Sequence, residues 1–174
     1  VTVLNAGRGH FEPIETTPPE RVREMLEVNF LGVLHGVQAA IPIFRARGAG
    51  QIVLVGSVVG KRALPSLGAY SAAKAAVGSL AETLRIELAG SGIDVTLVLP
   101  GSTETEFHGA ASGPRRRGPL GWVQSADTGA GAIARAIRRP RREVYPTPGA
   151  WAMAVLNELA PGVVDWAVRR AGRP

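Results

Sequence analysis

Tyr70 and Lys74 stand four residues apart in the run Tyr70-Ser71-Ala72-Ala73-Lys74. On a helix that spacing puts a phenol and an ammonium on one face. A free phenol titrates near about 10 and is a weak base at neutral pH. A cation held beside its oxygen favours the phenolate. At about 4 Å the attraction is about 1 kcal/mol in water and about 4 kcal/mol at an effective dielectric near 20. The larger figure moves a titration midpoint by about 3 pH units, the smaller by less than about one. The pair is therefore an acid/base device only where bulk water is excluded, so something must cover it. Left wet, it is an ordinary surface pair.

Ser57 comes just after an Ile/Val-rich run, 13 residues before Tyr70. A hydroxyl there can hold a substrate oxygen beside the phenol, and it equally suits a turn. Pro100-Gly101 closes another apolar run with a turn that lets backbone approach a flat ligand. Thr103 and Thr105 add polar contacts just beyond it. Asn29 is polar within an apolar helical stretch, which reads on its own as a kink or a buried-water site.

These residues need elements to position them. Residues 1–4 are an apolar run and read as a buried strand. Thr16-Thr17-Pro18-Pro19-Glu20 has the marks of a helix start, with a Thr cap and prolines in the first turn. Helices are expected over about 18–29 and 30–47, the second with Pro42 as a kink and ended by Gly48 and Gly50. Residues 51–55 and 93–99 are strands. Residues 70–89 form a long helix rich in small side chains. Residues 102–121 are rich in Gly, Pro and Ser, hold Arg115-Arg116-Arg117, and read as a mobile substrate loop. Ser125-Ala126-Asp127 begins a helix to about 139. Residues 143–145 are a short strand, and 149–170 an apolar helix broken at Pro161-Gly162. Strands alternating with helices predict an α/β fold, a three-layer αβα parallel sheet in a single domain. Ligands of such sheets bind beyond the carboxyl ends of the strands. Asn5, Ser57, Pro100 and Gly101 all fall there.

Composition narrows the function classes. The chain has 174 residues, 45% apolar and 20% charged, with no cysteine. It is not a wholly disordered chain, and disulfides, thiolate metal sites and thiol nucleophiles are excluded. No run of 18 apolar residues marks a transmembrane helix. No secretory pattern opens the chain, and a cytoplasmic location is the default. Residues 1–100 carry 9 basic and 8 acidic side chains, and residues 101–174 carry 11 and 6. All but Lys61 and Lys74 of the 20 basic residues are Arg. No aromatics interleave with the arginines as a stacking platform for nucleic acid needs. The Arg-rich face is read as solvated, and nucleic acid is not an expected partner.

Taken together, these pieces resemble the single-domain branch of the short-chain dehydrogenase/reductase family. The resemblance rests on Leu4-Asn5-Ala6-Gly7, Val28-Asn29-Phe30-Leu31-Gly32, Gly56-Ser57, Tyr70 to Lys74, and Pro100-Gly101 through Thr105, and it covers residues 1–108 closely. It implies a Rossmann-like fold and NAD(P)-dependent interconversion of a small-molecule alcohol and a carbonyl. By the same resemblance Tyr70 is the general acid/base. Lys74 lowers its pKa and holds the nicotinamide ribose. Ser57 polarises the substrate oxygen, and Asn29 anchors a water relay to Lys74. Asn5, Ala6 and Gly7 line the adenosine side of the cofactor. Pro100, Gly101, Thr103 and Thr105 face its nicotinamide. The hydride belongs to the cofactor.

Two letters depart from the family pattern. Leu4 stands where the family has Asn, and Thr103 where it usually has Val. The family's glycine-rich turn, which seats a pyrophosphate on a helix N-terminus, and the residue that separates NAD from NADP are both expected before residue 1. The chain is therefore expected to be about two-thirds of a domain, lacking the first βαβ units, with an exposed edge on its first strand. The alternative is a truncated, non-catalytic fragment or binding module in which Tyr70 and Lys74 stay wet. The resemblance also implies a homo-oligomer paired through the helices at 30–47 and 70–89.

Overall fold

The computed structural model describes residues 1–105, 107, 111–112 and 123–171. The chain runs β1 (Thr2–Leu4), α1 (Pro19–Leu26), a π-helical turn (Glu27–Leu31), α2 (Gly32–Arg47) and β2 (Gly50–Val55). It continues through a short 3-10 turn (Val58–Gly60), α3 (Gly68–Glu87), β3 (Ile93–Val98), β4 (Ser102–Glu104) and β5 (Val123–Ser125). It ends with α4 (Ala126–Arg138), β6 (Glu143–Val144), α5 (Pro148–Leu159) and α6 (Pro161–Ala171). Strands β1, β2, β3 and β6 form one parallel sheet in that order. Leu4 pairs with Leu54, Leu54 with Leu97, and Val98 with Val144, so the carboxyl ends lie together at one edge of the sheet.

Parallel strands covered on both faces read as unbroken apolar runs, and β2 is such a strand. Ile52, Val53 and Leu54 are fully buried. On one face Val33, Val37 and Phe44 of α2 and Val77, Ala81 and Leu84 of α3 close over Ile52, Leu54 and Leu97. On the other face Val53 and Val98 meet Ala136 of α4, flanked by Ile133 and Ile137. Helix, sheet and helix are the three expected layers. Strand β1 pairs with β2 alone among the described strands, and Val3 is 39% exposed.

Several expectations change. The two helices expected over 18–47 are one continuous helical run from Pro19 to Arg47, joined by the π-helical turn that contains Asn29. Pro42 lies inside α2 without ending it. The run is long and apolar enough to cross a membrane by length and composition. Its Met25, Val33, Val37 and Phe44 pack in the core of this fold instead. Thr16 and Thr17 do not cap α1, because their hydroxyls donate to the Pro13 carbonyl. Ser125 does cap α4, accepting from the Thr128 N–H at 3.2 Å. The ends of the expected loop at 102–121 are tied together, since β4 pairs with β5 in a small parallel sheet. Arg115, Arg116 and Arg117 lie outside the described residues.

The turn Val58–Gly60 sits hard against α3. A methyl group on Gly60 would lie 2.8 Å from the carbonyl carbon and oxygen of Lys74, backbone that cannot move aside. A methyl group on Gly78, inside α3, would meet nothing within 4 Å. Gly60→Ala is therefore expected to destabilise the fold by about 1–3 kcal/mol. Gly78→Ala should stabilise it by about 1 kcal/mol, the helix-propensity difference. Urea unfolding of both variants checks this, and equal effects would contradict the close approach.

Candidate active site

Lys74 lies one turn along α3 from Tyr70 and is 3% exposed. Its Nζ donates to the Val55 carbonyl at 2.9 Å, at the carboxyl end of β2. An ammonium carries three donors, and this is its one hydrogen bond among the described residues. Burial pulls the group down from its ordinary 10.5 to about 8. A methyl group placed on Gly7 would lie 3.4 Å from Nζ and 2.9 Å from Asn29 Oδ1. Gly7, Asn29 and Lys74 therefore converge on one spot, and only a residue without a side chain fits between the other two.

Asn29 is fully buried. The Gly32 N–H bonds the Glu27 carbonyl, five residues back, which is the mark of the π-helical turn. The Asn29 amide takes over part of the interrupted ladder. Its Nδ2 donates to the Met25 carbonyl at 3.0 Å and to the Arg8 carbonyl at 2.9 Å. Its Oδ1 accepts from the Arg8 N–H at 3.1 Å. One side chain thus fixes both backbone groups of Arg8 and locks the loop that follows β1.

Tyr70 is half-buried in the first turn of α3, with the Ser57 hydroxyl near enough to act on its phenol. Burial pushes the phenol up to about 12, and the neighbouring Ser57 pulls against that rise. The Ser57 Oγ also accepts from the Val59 N–H at 3.3 Å and lies 3.4 Å from the Pro100 carbonyl. It is the turn-forming serine and the phenol's neighbour at once. The Phe107 ring packs on Tyr70 with centroids 5.6 Å apart and planes at 52°.

The structure departs from two expectations about this pair. Lys74 does not stay wet, because the β2 carbonyl, Asn29 and the turn at Gly60 enclose it. Nor does its charge lower the phenol. Its Nζ bonds the Val55 carbonyl and lies 5.8 Å from the Tyr70 ring centroid, and burial sets the phenol above its ordinary value.

The remaining predicted residues surround this centre unevenly. Asn5, Ala6 and Gly7 follow β1 and are exposed. The Pro100 carbonyl accepts from the Val58 N–H at 2.9 Å, which joins the ends of β2 and β3. A methyl group on Gly101 would meet nothing within 4 Å, so that turn is open. Thr103 Oγ1 donates to the Gly101 carbonyl at 3.2 Å and accepts from Gln124 Nε2 at 3.0 Å. Thr105 Oγ1 accepts from the Phe107 N–H at 3.3 Å. Both threonines thus bond within the β4 region rather than to Tyr70 or Lys74. Sequence reasoning missed Phe107, Gln124 and His10, which is 5% exposed. None of them stands at an informative spacing from the others. The Val55 carbonyl is backbone and carries no side-chain signal at all.

A parallel sheet between helical layers, with a polar cluster at its carboxyl ends, defines a Rossmann-like α/β protein. A family model for short chain dehydrogenases matches residues 1–115, and the chain belongs to that family. The uncharacterized oxidoreductase YbbO of Escherichia coli is 31% identical over 169 residues, which cover 92% of this chain and 63% of YbbO. Estradiol 17-beta-dehydrogenase 1 of Rattus norvegicus is 38% identical over 127 residues, covering 73% of this chain and 36% of that protein. The crystal structure of a short chain dehydrogenase from Burkholderia cenocepacia in complex with NADP superposes with a TM-score of 0.81 at 29% identity. The match covers 99% of this chain and 68% of that one. A short chain dehydrogenase/reductase from Burkholderia phymatum in complex with NAD gives 0.80 at 27% identity, covering 92% and 66%. The chain spans less than two-thirds of the length of YbbO.

The lowered Lys74 gives a stability prediction. Near neutral pH and below, the folded state holds a charge that it disfavours. That penalty fades as pH rises from about 8 to 10.5, where the unfolded chain also loses the proton. Lys74→Met should therefore stabilise the fold at neutral pH by up to about 3 kcal/mol, less the lost Val55 bond. The advantage should shrink across that window. Denaturant titrations at several pH values check this, and a difference that stays constant with pH would contradict it.

Proposed function

We propose that this chain carries the acid/base centre of an NAD(P)-dependent oxidoreductase that interconverts an alcohol and a carbonyl. The observation that carries the reading is the buried Lys74 ammonium, with one acceptor for three donors, beside the Ser57–Tyr70 pair at the carboxyl ends of the sheet. A buried ammonium left with unused donors is costly, and two adjacent hydroxyls such as a ribose diol would satisfy them. Family relatives crystallised with NADP and with NAD support that occupant. Tyr70 and Lys74 would hold the ribose. Asn5, Ala6 and Gly7 would lie on the adenosine side, and Pro100, Gly101, Thr103 and Thr105 on the nicotinamide side. The open turn at Gly101 suits the second placement.

A nicotinamide cofactor, when bound, supplies or accepts the hydride. The chain's own residues handle the proton. Ser57 holds the substrate oxygen next to the phenol. Tyr70, protonated at neutral pH, gives its proton to a carbonyl oxygen as that oxygen gains charge, and takes one from an alcohol in the reverse direction. Asn29, locked by Arg8 and Met25, anchors a water path by which the proton is replaced. A second copy would pair across α2 and α3, where Ile43 is 52% exposed and Ile86 78%.

Fluorescence titration with NADH and NADPH tests the cofactor half of the reading. Saturable binding is expected, and its absence would favour a non-catalytic module. Tyr70→Phe should bind cofactor normally and lose turnover, and retained turnover would defeat the assignment. Ser57→Ala should lower kcat on the order of 10²-fold with little change in cofactor affinity. An equal loss in both would make Ser57 a turn residue only.

A further inference from the structure

His10 has no part in the acid/base chemistry above, yet it is 5% exposed and uses both ring nitrogens. Nδ1 lies 2.8 Å from Ser112 Oγ, and Nε2 lies 2.8 Å from Glu12 Oε2. A carboxylate only accepts, so Nε2 carries a hydrogen and donates it to Glu12. In the neutral ring Nδ1 then accepts from the Ser112 hydroxyl.

Backbone bonds continue the same seam. The Phe11 N–H donates to the Ser112 carbonyl at 2.8 Å, and the Ser112 N–H to the Gly9 carbonyl at 3.2 Å. The Glu12 N–H donates to the Ser66 carbonyl at 2.8 Å, just ahead of α3. Residues 9–12 therefore bridge two segments far apart in sequence, one near residue 66 and one near residue 112. Gly9 lies under the second segment. A methyl group there would sit 2.9 Å from the Phe107 ring, which in turn rests on Tyr70.

We propose that His10 is a positioning residue: through Ser112 it seats the Phe107 segment on Gly9 and so holds the Phe107 ring over Tyr70, forming the substrate-facing wall of the phenol. The assignment rests on Tyr70 being the acid/base. The loop after β1 is thereby fixed twice. Asn29 holds it at Arg8 on the Lys74 side, and His10 holds it on the substrate side.

NMR of the full chain tests this without turnover. Tyr70 and Tyr145 are its only tyrosines, so the Tyr70 ring signals are readily assigned, and they sense the ring current of Phe107. In His10→Ala the Tyr70 signals should move to where Phe107→Ala puts them. Amide exchange at Phe11 and Ser112 should quicken by about tenfold or more as the seam opens. Ser112→Ala should do the same in milder form. His10→Asn, whose amide can reproduce the Nδ1 bond to Ser112, should restore the native signals better than His10→Gln. Unchanged Tyr70 signals in His10→Ala and Ser112→Ala would overturn the proposal, whatever exchange shows. Equal behaviour of His10→Asn and His10→Ala would also overturn it. Retained turnover in Tyr70→Phe would instead defeat the acid/base assignment, and the ring-packing result would stand apart from it.

Discussion

A charged amine in a dry place must be held on all sides, and the rest of the site follows from meeting that demand at Lys74. The β2 strand ends where its last carbonyl, that of Val55, can reach the ammonium. Gly60 brings the next turn down onto the α3 backbone at Lys74 itself. Gly7 leaves room between Lys74 and Asn29 that any side chain would fill. Each of these choices costs local freedom or packing, and each is explained by the same group. Its other donors find no acceptor among the described residues, and the group sits at the strand ends, where a parallel sheet binds its ligands.

Around that pivot the layers divide the work. The apolar core holds β2 and β3 rigid, so Val55, Ser57 and Pro100 arrive together. Helix α3 carries Tyr70 and Lys74 on one side and the core residues Val77, Ala81 and Leu84 further along. The π-helical turn gives Asn29 a position that a regular helix would deny it, aimed at the loop after β1. Ser57 links the two chemistries, since one hydroxyl caps a turn and meets the phenol.

Much of this was legible beforehand because the signals are local. Strands β2 and β3 show as Ile/Val runs bounded by glycine or proline, and the Tyr70–Lys74 spacing puts both on one helix face. The less legible features depend on contacts distant in sequence. Nothing near Asn29 announces a π-helical turn, and the partner its side chain meets there, Arg8, lies 21 residues away. The pairing of β4 with β5 bridges a Gly- and Pro-rich stretch whose composition reads as loop. The direction of the Tyr70 shift was also hidden. Spacing shows that a cation is near, but not that the Val55 carbonyl takes it up and that burial dominates the phenol. His10 looked unremarkable for the same reason, since its partner Ser112 lies 102 residues on.

The dry setting of Lys74 is measured most directly by an NMR titration of the lysine Nζ groups. The chain has two lysines, Lys61 and Lys74, so each can be followed separately. Lys74 is expected to titrate near 8 in the protein alone. Its midpoint should rise when NADPH or NADH is added, as new acceptors reach the ammonium. A Lys74 midpoint near the ordinary 10.5, unmoved by either nucleotide, would show an ammonium that is neither dry nor within reach of a cofactor.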